Sequence, residues 1–297
     1  MKKILFYASM ALLFTSCIGD DEPKTVTKMT IRTANHVVPE VGEPFIMADV
    51  LYEFEFEHNH STAVMKVEDM ALNTQTKLSF ESEPVKFTLG NFTQGTIYRF
   101  EVDQINTLAN GVYSRECQIE DLDCMLTTAY YAPSEMFQQS VAPLGTLVVM
   151  NYEIGDMYEV TTFPVSAFYS GRTQTQYTTK EGEAKTYSSN SALYGVNMNL
   201  ATKKADIIIY DAQFAEEMPM KLTMALKNLD IELTREGYVI KGKNIVPLVG
   251  DDAIEYPRFA FDELVMVCED DALTRVNINF TVAGQYKGSF TGSYVLQ

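Results

Sequence analysis

Three histidines are the side chains best suited to acid–base or metal chemistry in this chain of 297 residues. His58 and His60 are two residues apart, so on a β-strand both would lie on one face, as a pair of metal ligands requires. The alternative interpretation is a pair of polar residues flanking a turn. The second half of the chain repeats the first, and its equivalent positions hold Leu200 and Thr202. This difference favours the turn.

Carboxylates are the next candidates, and Asp69 and Asp211 recur at equivalent points of the two halves. One aspartate per half cannot form the two-carboxylate site of a glycosidase within that half. Turn capping at the end of a strand accounts for both residues. The acidic clusters at 251–252 and 269–271 lack the spacing of a dedicated calcium loop, so we interpret them as solvated loop ends.

The common catalytic motifs are absent from the sequence. It contains no Gly-x-Ser-x-Gly, no His-Glu-x-x-His and no phosphate-binding loop. It also contains no Cys-x-x-Cys pair, so we expect no zinc site and no other metal site. The sequence therefore predicts a protein that is not an enzyme and has no cofactor.

The first 17 residues carry a different chemistry. Lys2 and Lys3 precede an apolar run at 4–14, which is the order of a secretory signal peptide and is too short to span a bilayer. The ending Thr15-Ser16-Cys17 resembles the lipobox of bacterial lipoproteins, with Phe14 where that family usually has Leu. The resemblance implies cleavage before Cys17 and a lipid anchor, palmitate included, on its thiol. Several acyl chains would hold the protein firmly in a membrane.

An acidic segment follows the cysteine. We assign 1–16 to the signal peptide and 17–25 to a tether that contains Asp20, Asp21 and Glu22. The tether resembles the acidic export tag of Bacteroidota surface lipoproteins, which implies a location on the outer face of the outer membrane. The alternative is a solvated acidic tether without a targeting role.

The overall charge excludes one class of partner. The formal net charge is −17, and loss of Lys2 and Lys3 with the signal peptide would lower it to −19. Such a chain repels phosphate backbones, so we expect no nucleic-acid partner. No basic amphipathic helix is present, so membrane contact is expected through the lipid anchor alone.

The three remaining cysteines allow two interpretations. An oxidising compartment permits a disulfide bond, but Cys117 and Cys124 are seven residues apart and would face opposite ways on one unbroken strand. A bridge between them needs a turn or bulge near Asp121. Otherwise Cys117, Cys124 and Cys268 are small buried hydrophobic residues.

Self-comparison shows an internal repeat. Residues 51–72 align without a gap on residues 193–214, a shift of 142 that places Tyr52 on Tyr194. Farther along, Tyr98 aligns on Tyr238 with a shift of 140. A change of two residues keeps every strand side chain on its face, so the repeat predicts two copies of one β domain.

Each copy has the alternation of β-strands. Tyr52, Phe54 and Phe56 alternate with glutamates, and near the C-terminus the residues at 276–282 and 286–294 form a second alternating hairpin. One segment differs, because Met218, Leu222 and Leu226 recur at intervals of four and favour a short helix within 216–228. Inward-facing Gly288 and Gly292 favour a closed barrel, because glycine lets a strand bend.

The tandem meander, the Tyr-x-Gly-x-x-x-Gly-x-Tyr pattern at 286–294 and the lipoprotein start together resemble the calycin-like, lipocalin-like lipoproteins of Bacteroidota. The Gly-x-Trp signature of true lipocalins is absent, because the chain has no Trp. The resemblance implies an all-β chain of two tandem antiparallel up-and-down barrels. We expect the first domain at 26–162, with an insertion at about 128–143, and the second at 163–297.

The expected function is binding rather than catalysis. The leading hypothesis is a lipid-anchored outer-membrane protein, exposed at the cell surface, that binds a small apolar or amphipathic ligand in a barrel. The alternative is a glycan-binding, adhesive or structural surface module with filled barrels, since small barrels are often filled by their own side chains. The residues predicted to line a ligand cavity are Tyr194, Phe280, Tyr286, Phe290 and Tyr294.

Overall fold

The computed structural model describes residues 26–92, 95–129, 147–250, 253–268 and 275–294. The predictions for Cys17, the signal peptide, the tether and most of the insertion at 128–143 lie outside these residues. The described residues form two antiparallel sheets that follow each other along the chain, here called lobe one and lobe two. This arrangement confirms the predicted fold class. None of the helices in the described part is both long and apolar enough to cross a membrane.

Lobe one contains the first twelve strands. They are β1 (Val26–Pro39), β2 (Phe45–Glu57), β3 (Thr62–Ala71), β4 (Lys77–Glu81), β5 (Val85–Lys86), β6 (Thr88–Phe92), β7 (Gly95–Ile105), β8 (Thr107–Ala109), β9 (Val112–Tyr113), β10 (Ile119–Ala129), β11 (Leu147–Ile154) and β12 (Tyr158–Phe163). Single 3-10 turns lie at Arg115–Cys117 and Gly155–Met157.

Lobe two contains ten strands and one 3-10 turn at Pro257–Phe259. The strands are β13 (Ser166–Thr178), β14 (Ala184–Asn199), β15 (Lys204–Ala212), β16 (Leu222–Leu233), β17 (Tyr238–Ile245), β18 (Leu248–Val249), β19 (Ile254–Glu255), β20 (Phe261–Cys268), β21 (Arg275–Val282) and β22 (Tyr286–Tyr294).

Lobe two is a closed eight-stranded up-and-down barrel. The ring runs β13-β14-β15-β16-β17-β20-β21-β22 and returns to β13. In lobe one the counterpart of β16 is divided into β4, β5 and β6, of which β4 and β5 pair with β3 while β6 pairs with β7. Pro84 lies at this interruption, and proline cannot donate a ladder hydrogen bond. Lobe one is therefore a curled sheet whose ring is broken at one strand.

The two lobes carry the same strand register. Tyr52 pairs with Val67 in lobe one, and Tyr194 pairs with Ile209 in lobe two, so both partners are shifted by 142. The pairing of β3 with β4 and that of β15 with β16 each have a bulge just after this point, where Asp69 and Asp211 adopt positive φ of 54° and 49°. The two aspartates therefore occupy bulges within β3 and β15 instead of capping turns, and aspartate tolerates this backbone conformation.

The predicted helix at 216–228 is wrong, because Leu222–Leu233 forms strand β16. An interval of four is also a multiple of two, so the apolar residues that suggested a helix equally satisfy the period of a strand. Met224 and Leu226 point inward and are fully buried. Pairing of β16 with β15 and β17 decides the outcome.

The three described cysteines are buried, and none of them forms a disulfide bond within the described residues. Cys124 lies opposite Phe100 in the sheet, and burial raises the pKa of its thiol well above the usual value. Of the two interpretations of the sequence, the one with small buried hydrophobic residues is confirmed.

The lobes touch through apolar and polar contacts. Ala34 and Phe163 of lobe one belong to the buried core of lobe two, and the ring of Phe163 is 5.4 Å from that of Tyr238. His36 Nε2 donates to the Thr234 carbonyl at 2.7 Å, and Arg235 donates to the Pro39 carbonyl at 3.0 Å. These contacts fix the position of one lobe on the other.

We predict that alanine at Gly171 destabilises the barrel where β13 meets β22. A methyl group there would lie 2.6 Å from the Gly292 Cα and overlap the Thr291 carbonyl. Since both obstacles are backbone, the free energy of unfolding should fall by about 1 to 3 kcal/mol in Gly171→Ala, as for overpacked cores. The control is Gly90→Ala, whose methyl would meet Ile97 at an ordinary 3.5 Å. Equal denaturant midpoints for the two variants would contradict the prediction.

We also predict a pH effect at the lobe contact. Burial lowers the pKa of His36 below its usual value of 6.5, against smaller opposing effects from Thr234 and Glu236. The unfolded chain therefore binds a proton at His36 more tightly than the folded chain does. The stability that neutral His36 contributes at pH 7 should be lost as the pH falls below 6.5. His36→Gln keeps a hydrogen-bond donor but does not titrate. Its unfolding free energy should fall less than that of the wild type between neutral and acidic pH, and parallel curves would refute the assignment.

Candidate ligand site at the mouth of lobe two

The interior of lobe one contains a complete hydrogen-bond network. Asn35 donates to the hydroxyl of Tyr52 at 2.8 Å and to that of Tyr152 at 3.0 Å, and the two hydroxyls are 2.9 Å apart. The Met70 sulfur lies 3.6 Å from both Asn35 Nδ2 and the Tyr152 hydroxyl. All four side chains are buried, and burial raises the pKa of both tyrosines. Every polar group of this network has a partner within it, and the four packed side chains fill this part of the interior.

The register identifies the counterparts of this network in lobe two. Tyr194 replaces Tyr52, because each pairs with the equivalent residue of the next strand. Thr173 replaces Asn35 at the residue after a shared bulge. Phe280 on β21, which pairs with β20, takes the place of Tyr152 on β11, which pairs with β10. The network has therefore lost an amide and a hydroxyl in lobe two.

Three neighbouring side chains are also smaller in lobe two. Thr33 and Val50 face each other across β1 and β2, whereas the equivalent pair across β13 and β14 is Gly171 and Ala192. Met70 is replaced by Ala212 after the second shared bulge. Ala192 and Ala212 leave space where the lobe-one network lies, whereas at Gly171 the backbone of β22 takes the place of the missing side chain.

A cleft of about 80 Å³ occupies this place in lobe two, and we call it the mouth cleft. Its lining includes Thr173, Ala192, Tyr194, Ala212, Phe214 and Lys221. Burial raises the pKa of Tyr194 to about 12, an effect that the nearby Thr173 hydroxyl reduces. Among the described residues, the Thr173 hydroxyl has no hydrogen-bond partner of good geometry, although Thr173 is only 5% exposed. The cleft therefore combines small apolar walls with the Thr173 hydroxyl.

Phe214 closes the barrel beside the mouth cleft. It is 1% exposed and lies on the segment 213–221 between β15 and β16, which we call the plug loop. Its ring is within 6.0 Å of four others, those of Phe259, Phe261, Phe280 and Tyr286. In lobe one the equivalent residue is the smaller Leu72, which is also buried.

Polar contacts hold the plug loop against the hairpin of β13 and β14. Glu217 accepts hydrogen bonds from Lys185 Nζ at 2.9 Å and from the Tyr177 hydroxyl at 2.6 Å. The bond from Lys185, followed by that from Tyr177, lowers the pKa of Glu217 to about 2. Gln213 accepts a further bond from Tyr187 at 2.9 Å. The contacts with Glu217 lie at the surface, so the loop is attached by interactions that are individually weak.

The structure separates the five predicted ligand residues. Tyr194 lines the mouth cleft, and its ring stacks 4.1 Å from that of Phe290. Phe290 and Phe280 are buried in the core, where a methyl group at Gly288 would overlap the Phe280 ring. Tyr286 is half-buried and contacts Phe214 of the plug loop. Tyr294 packs edge-on against Tyr169 away from the cleft, and burial raises its pKa to about 12.

The histidines have local roles in the structure. His58 Nε2 is 2.8 Å from the Thr27 hydroxyl, and His60 lies 3.0 Å from Glu57. Within the described ranges, no group of three or more His, Cys, Asp or Glu side chains is placed to hold a metal ion.

Sequence reasoning missed Thr173, Ala192, Ala212 and Glu217. The signal for two of them was present in the repeat, because Val50 aligns on Ala192 and Met70 on Ala212 with the same shift of 142. A search for aromatic residues passes over such positions. Loss of side-chain volume between two copies is visible only when the copies are compared residue by residue.

Comparison with known proteins assigns neither a family nor a function to this chain. No family model matches the chain, and no curated protein matches it. Among solved structures, it is similar to a double mutant of transferrin-binding protein B from Haemophilus parasuis, with 8% identity, a TM-score of 0.27, and coverage of 92% of this chain and 76% of that chain. Intact Ap-TbpB, with its N and C lobes, gives 9% identity, a TM-score of 0.26 and coverage of 91% and 77%. Backbone agreement of this size assigns no function to this chain.

We predict opposite effects of exchanging one residue between the lobes. Val50→Ala removes two methyl groups from a filled interior and should lower the free energy of unfolding by about 1 to 3 kcal/mol. Ala192→Val places the same two methyl groups in the mouth cleft, so stability should stay level or rise by about 1 kcal/mol. Urea unfolding of both variants measures the contrast. A similar loss of stability in both would show that the cleft has no room for the added side chain.

Proposed function

We propose that this protein is a lipid-anchored outer-membrane protein, exposed at the cell surface, that binds a small apolar or amphipathic ligand at the mouth cleft. It acts as a binding protein and catalyses no reaction. The observation that carries this proposal is the loss of side-chain volume in lobe two at one place, where lobe one is filled. Smaller side chains in a core weaken its packing. Because they occur in lobe two alone, a binding role explains them better than a contribution to stability does.

The chemistry of the mouth cleft favours an amphipathic ligand. Ala192, Ala212 and Phe214 provide apolar contact, whereas the buried Thr173 and the exposed Lys221 offer hydrogen bonds. An engineered cavity of about 150 Å³ holds benzene, so about 80 Å³ accepts only part of a ligand, such as the end of an acyl chain. A larger group would have to displace Phe214 and replace its contacts with four neighbouring rings, because the surface contacts of the plug loop are only part of what holds this side chain.

The anchor proposal depends on the start of the sequence. The apolar run at 4–14 and the following Cys17 support export and acylation, and the acidic residues after Cys17 support display at the surface. Acyl chains on Cys17 would supply the attachment, since each buried methylene contributes about 0.8 kcal/mol.

A second candidate function is a glycan-binding or adhesive surface module. The observation in its favour is the filled interior of lobe one, whose network leaves no polar group for a ligand. Under this proposal any ligand of lobe one contacts its outer surface.

We predict that Cys17→Ala abolishes membrane attachment. Without the thiol there is no site for acylation, so the protein should move from the membrane fraction to the soluble exported fraction and lose incorporation of labelled palmitate. Cys117→Ala is the control, since that thiol is buried inside lobe one. Continued membrane attachment of Cys17→Ala would refute the anchor.

Native mass spectrometry of the protein purified from its own host tests the ligand proposal. We expect a bound small molecule at one copy per chain, and its loss in Ala192→Val, because the added methyl groups fill the mouth cleft. Ala184→Val, on an exposed position of the same strand, should keep the ligand. An apo mass for the wild type, or a ligand retained by Ala192→Val, would contradict the proposal.

A further inference from the structure

A groove of about 840 Å³ lies between the lobes, separate from the mouth cleft, and we call it the interlobe groove. Lobe one contributes Arg32 and Asp49 from β1 and β2, and lobe two contributes the turn between β14 and β15 with its flanking residues. Its volume is within the range of about 300 to 1,000 Å³ typical of small-molecule sites, which are common at domain interfaces. The contacts of His36, Arg235 and Phe163 hold the lobes together, so the groove is formed without a ligand.

The charges of the interlobe groove balance, although the whole chain is strongly acidic. Lys204 is paired with Asp230, which lies outside the groove, and Asp206 with Lys227 at 2.8 Å. That leaves the Arg32 guanidinium and the Asp49 carboxylate, which face each other at 3.7 Å and are 64% and 79% exposed. A loose and exposed pair can exchange partners with a ligand at little cost. The groove therefore has no net charge with which to select an anion or a cation.

Amide side chains are the main polar groups of the interlobe groove. The Asn197 carbonyl oxygen accepts from Ser166 at 2.8 Å, and that of Asn199 accepts from the Thr202 backbone at 3.1 Å. Their NH₂ groups donate to no acceptor within the described residues. The result is two oriented amides with free donors on the groove wall.

Asn228 adds a third amide in a strained position. Its φ is 59°, and its backbone N–H donates to Asp206 Oδ1 at 3.1 Å. Its side chain makes no hydrogen bond within the described part of the chain. The fixed backbone places this amide on the groove at a position that asparagine tolerates better than most residues do.

The amides of Asn197 and Asn199 are not shared by the two lobes, because lobe one has other side chains at the equivalent positions. Asn197 and Asn199 lie on β14 where β2 of lobe one carries Glu55 and Glu57, with the same shift of 142. Glu55 is paired with Lys28 at 2.6 Å on the outer surface. Carboxylates on an outer strand face are thus replaced by neutral amides at the positions that line the groove.

The interlobe groove also has apolar lining residues, here called its apolar base, namely Val165, Met198, Leu200 and Ala201. Met198 also belongs to the buried core of lobe two, whereas Ala201 is exposed. Apolar atoms beside planar hydrogen-bonding groups match a ligand that has C–H surfaces between hydroxyl groups.

We propose that the interlobe groove binds a neutral polyhydroxylated ligand, namely an uncharged oligosaccharide. The amides and the Arg32 guanidinium donate to hydroxyl oxygens, Asp49 accepts from hydroxyl groups, and the apolar base contacts the sugar C–H surfaces. Balanced charge gives the groove no preference for an anion or a cation, which favours a neutral ligand. The site does not depend on the mouth cleft.

Binding of the mature protein to an array of neutral and acidic oligosaccharides, followed by calorimetry with the best neutral one, tests this proposal. Asn228→Gly keeps the left-handed backbone and removes the amide, and Arg32→Gln removes the charged donor. Each should weaken binding about fivefold or more, as expected for one lost ligand hydrogen bond. Asn279→Ala, at an exposed site on β21, is the matched control and should bind like the wild type.

Ala201→Trp serves as a blocking variant at an exposed position, so that the test does not depend on the two polar variants. It should abolish binding, while Ala192→Val in the mouth cleft should leave it unchanged. The proposal is overturned if the wild type binds no neutral oligosaccharide, if acidic ones bind more tightly, or if Ala201→Trp binds like the wild type.

Discussion

Closure of an antiparallel sheet is the constraint on which the rest of this structure depends. When β13 pairs with β22, every second side chain of eight strands is directed into one enclosed space, and that space must be filled, hydrated or occupied. Gly171 and Gly292 face each other where the ring closes, and their lack of side chains permits the close approach. The register then determines which residues meet inside.

Strands β1–β3, β10 and β11 of lobe one share their register with β13–β15, β20 and β21 of lobe two, so residues on these strands have counterparts with almost the same backbone. Differences between counterparts can therefore be interpreted as differences in side chain alone. Lobe one fills its interior with a hydrogen-bonded group of Asn35, Tyr52 and Tyr152, with Met70 beside it. Lobe two has lost this group and has an opening instead. Two copies of one fold thus differ in the property that decides whether a small molecule can enter.

Alternation of apolar residues was enough to predict the strands that contain Tyr52 and Phe280, because a period of two is specific to half-buried strands. It failed for Leu222–Leu233, where spacing by four satisfies a helix and a strand alike. The site was harder to predict. Large aromatic residues point to a core as readily as to a cavity, and Phe290 proved to be core. The residues that create the cleft, Ala192 and Ala212, are small and carry no reactive group. Their role becomes visible only when they are compared with the larger Val50 and Met70 at the equivalent positions of lobe one.

The most direct test of the account is an NMR titration of protein labelled at alanine methyl groups, with decanoate as the amphipathic probe. The matched pair Ala63 and Ala205 is buried in the two cores and provides the internal control. We expect the methyl signals of Ala192 and Ala212 to shift saturably while those of Ala63 and Ala205 do not move. Unchanged signals at Ala192 and Ala212, or equal shifts at all four alanines, would contradict a ligand site at the mouth of lobe two.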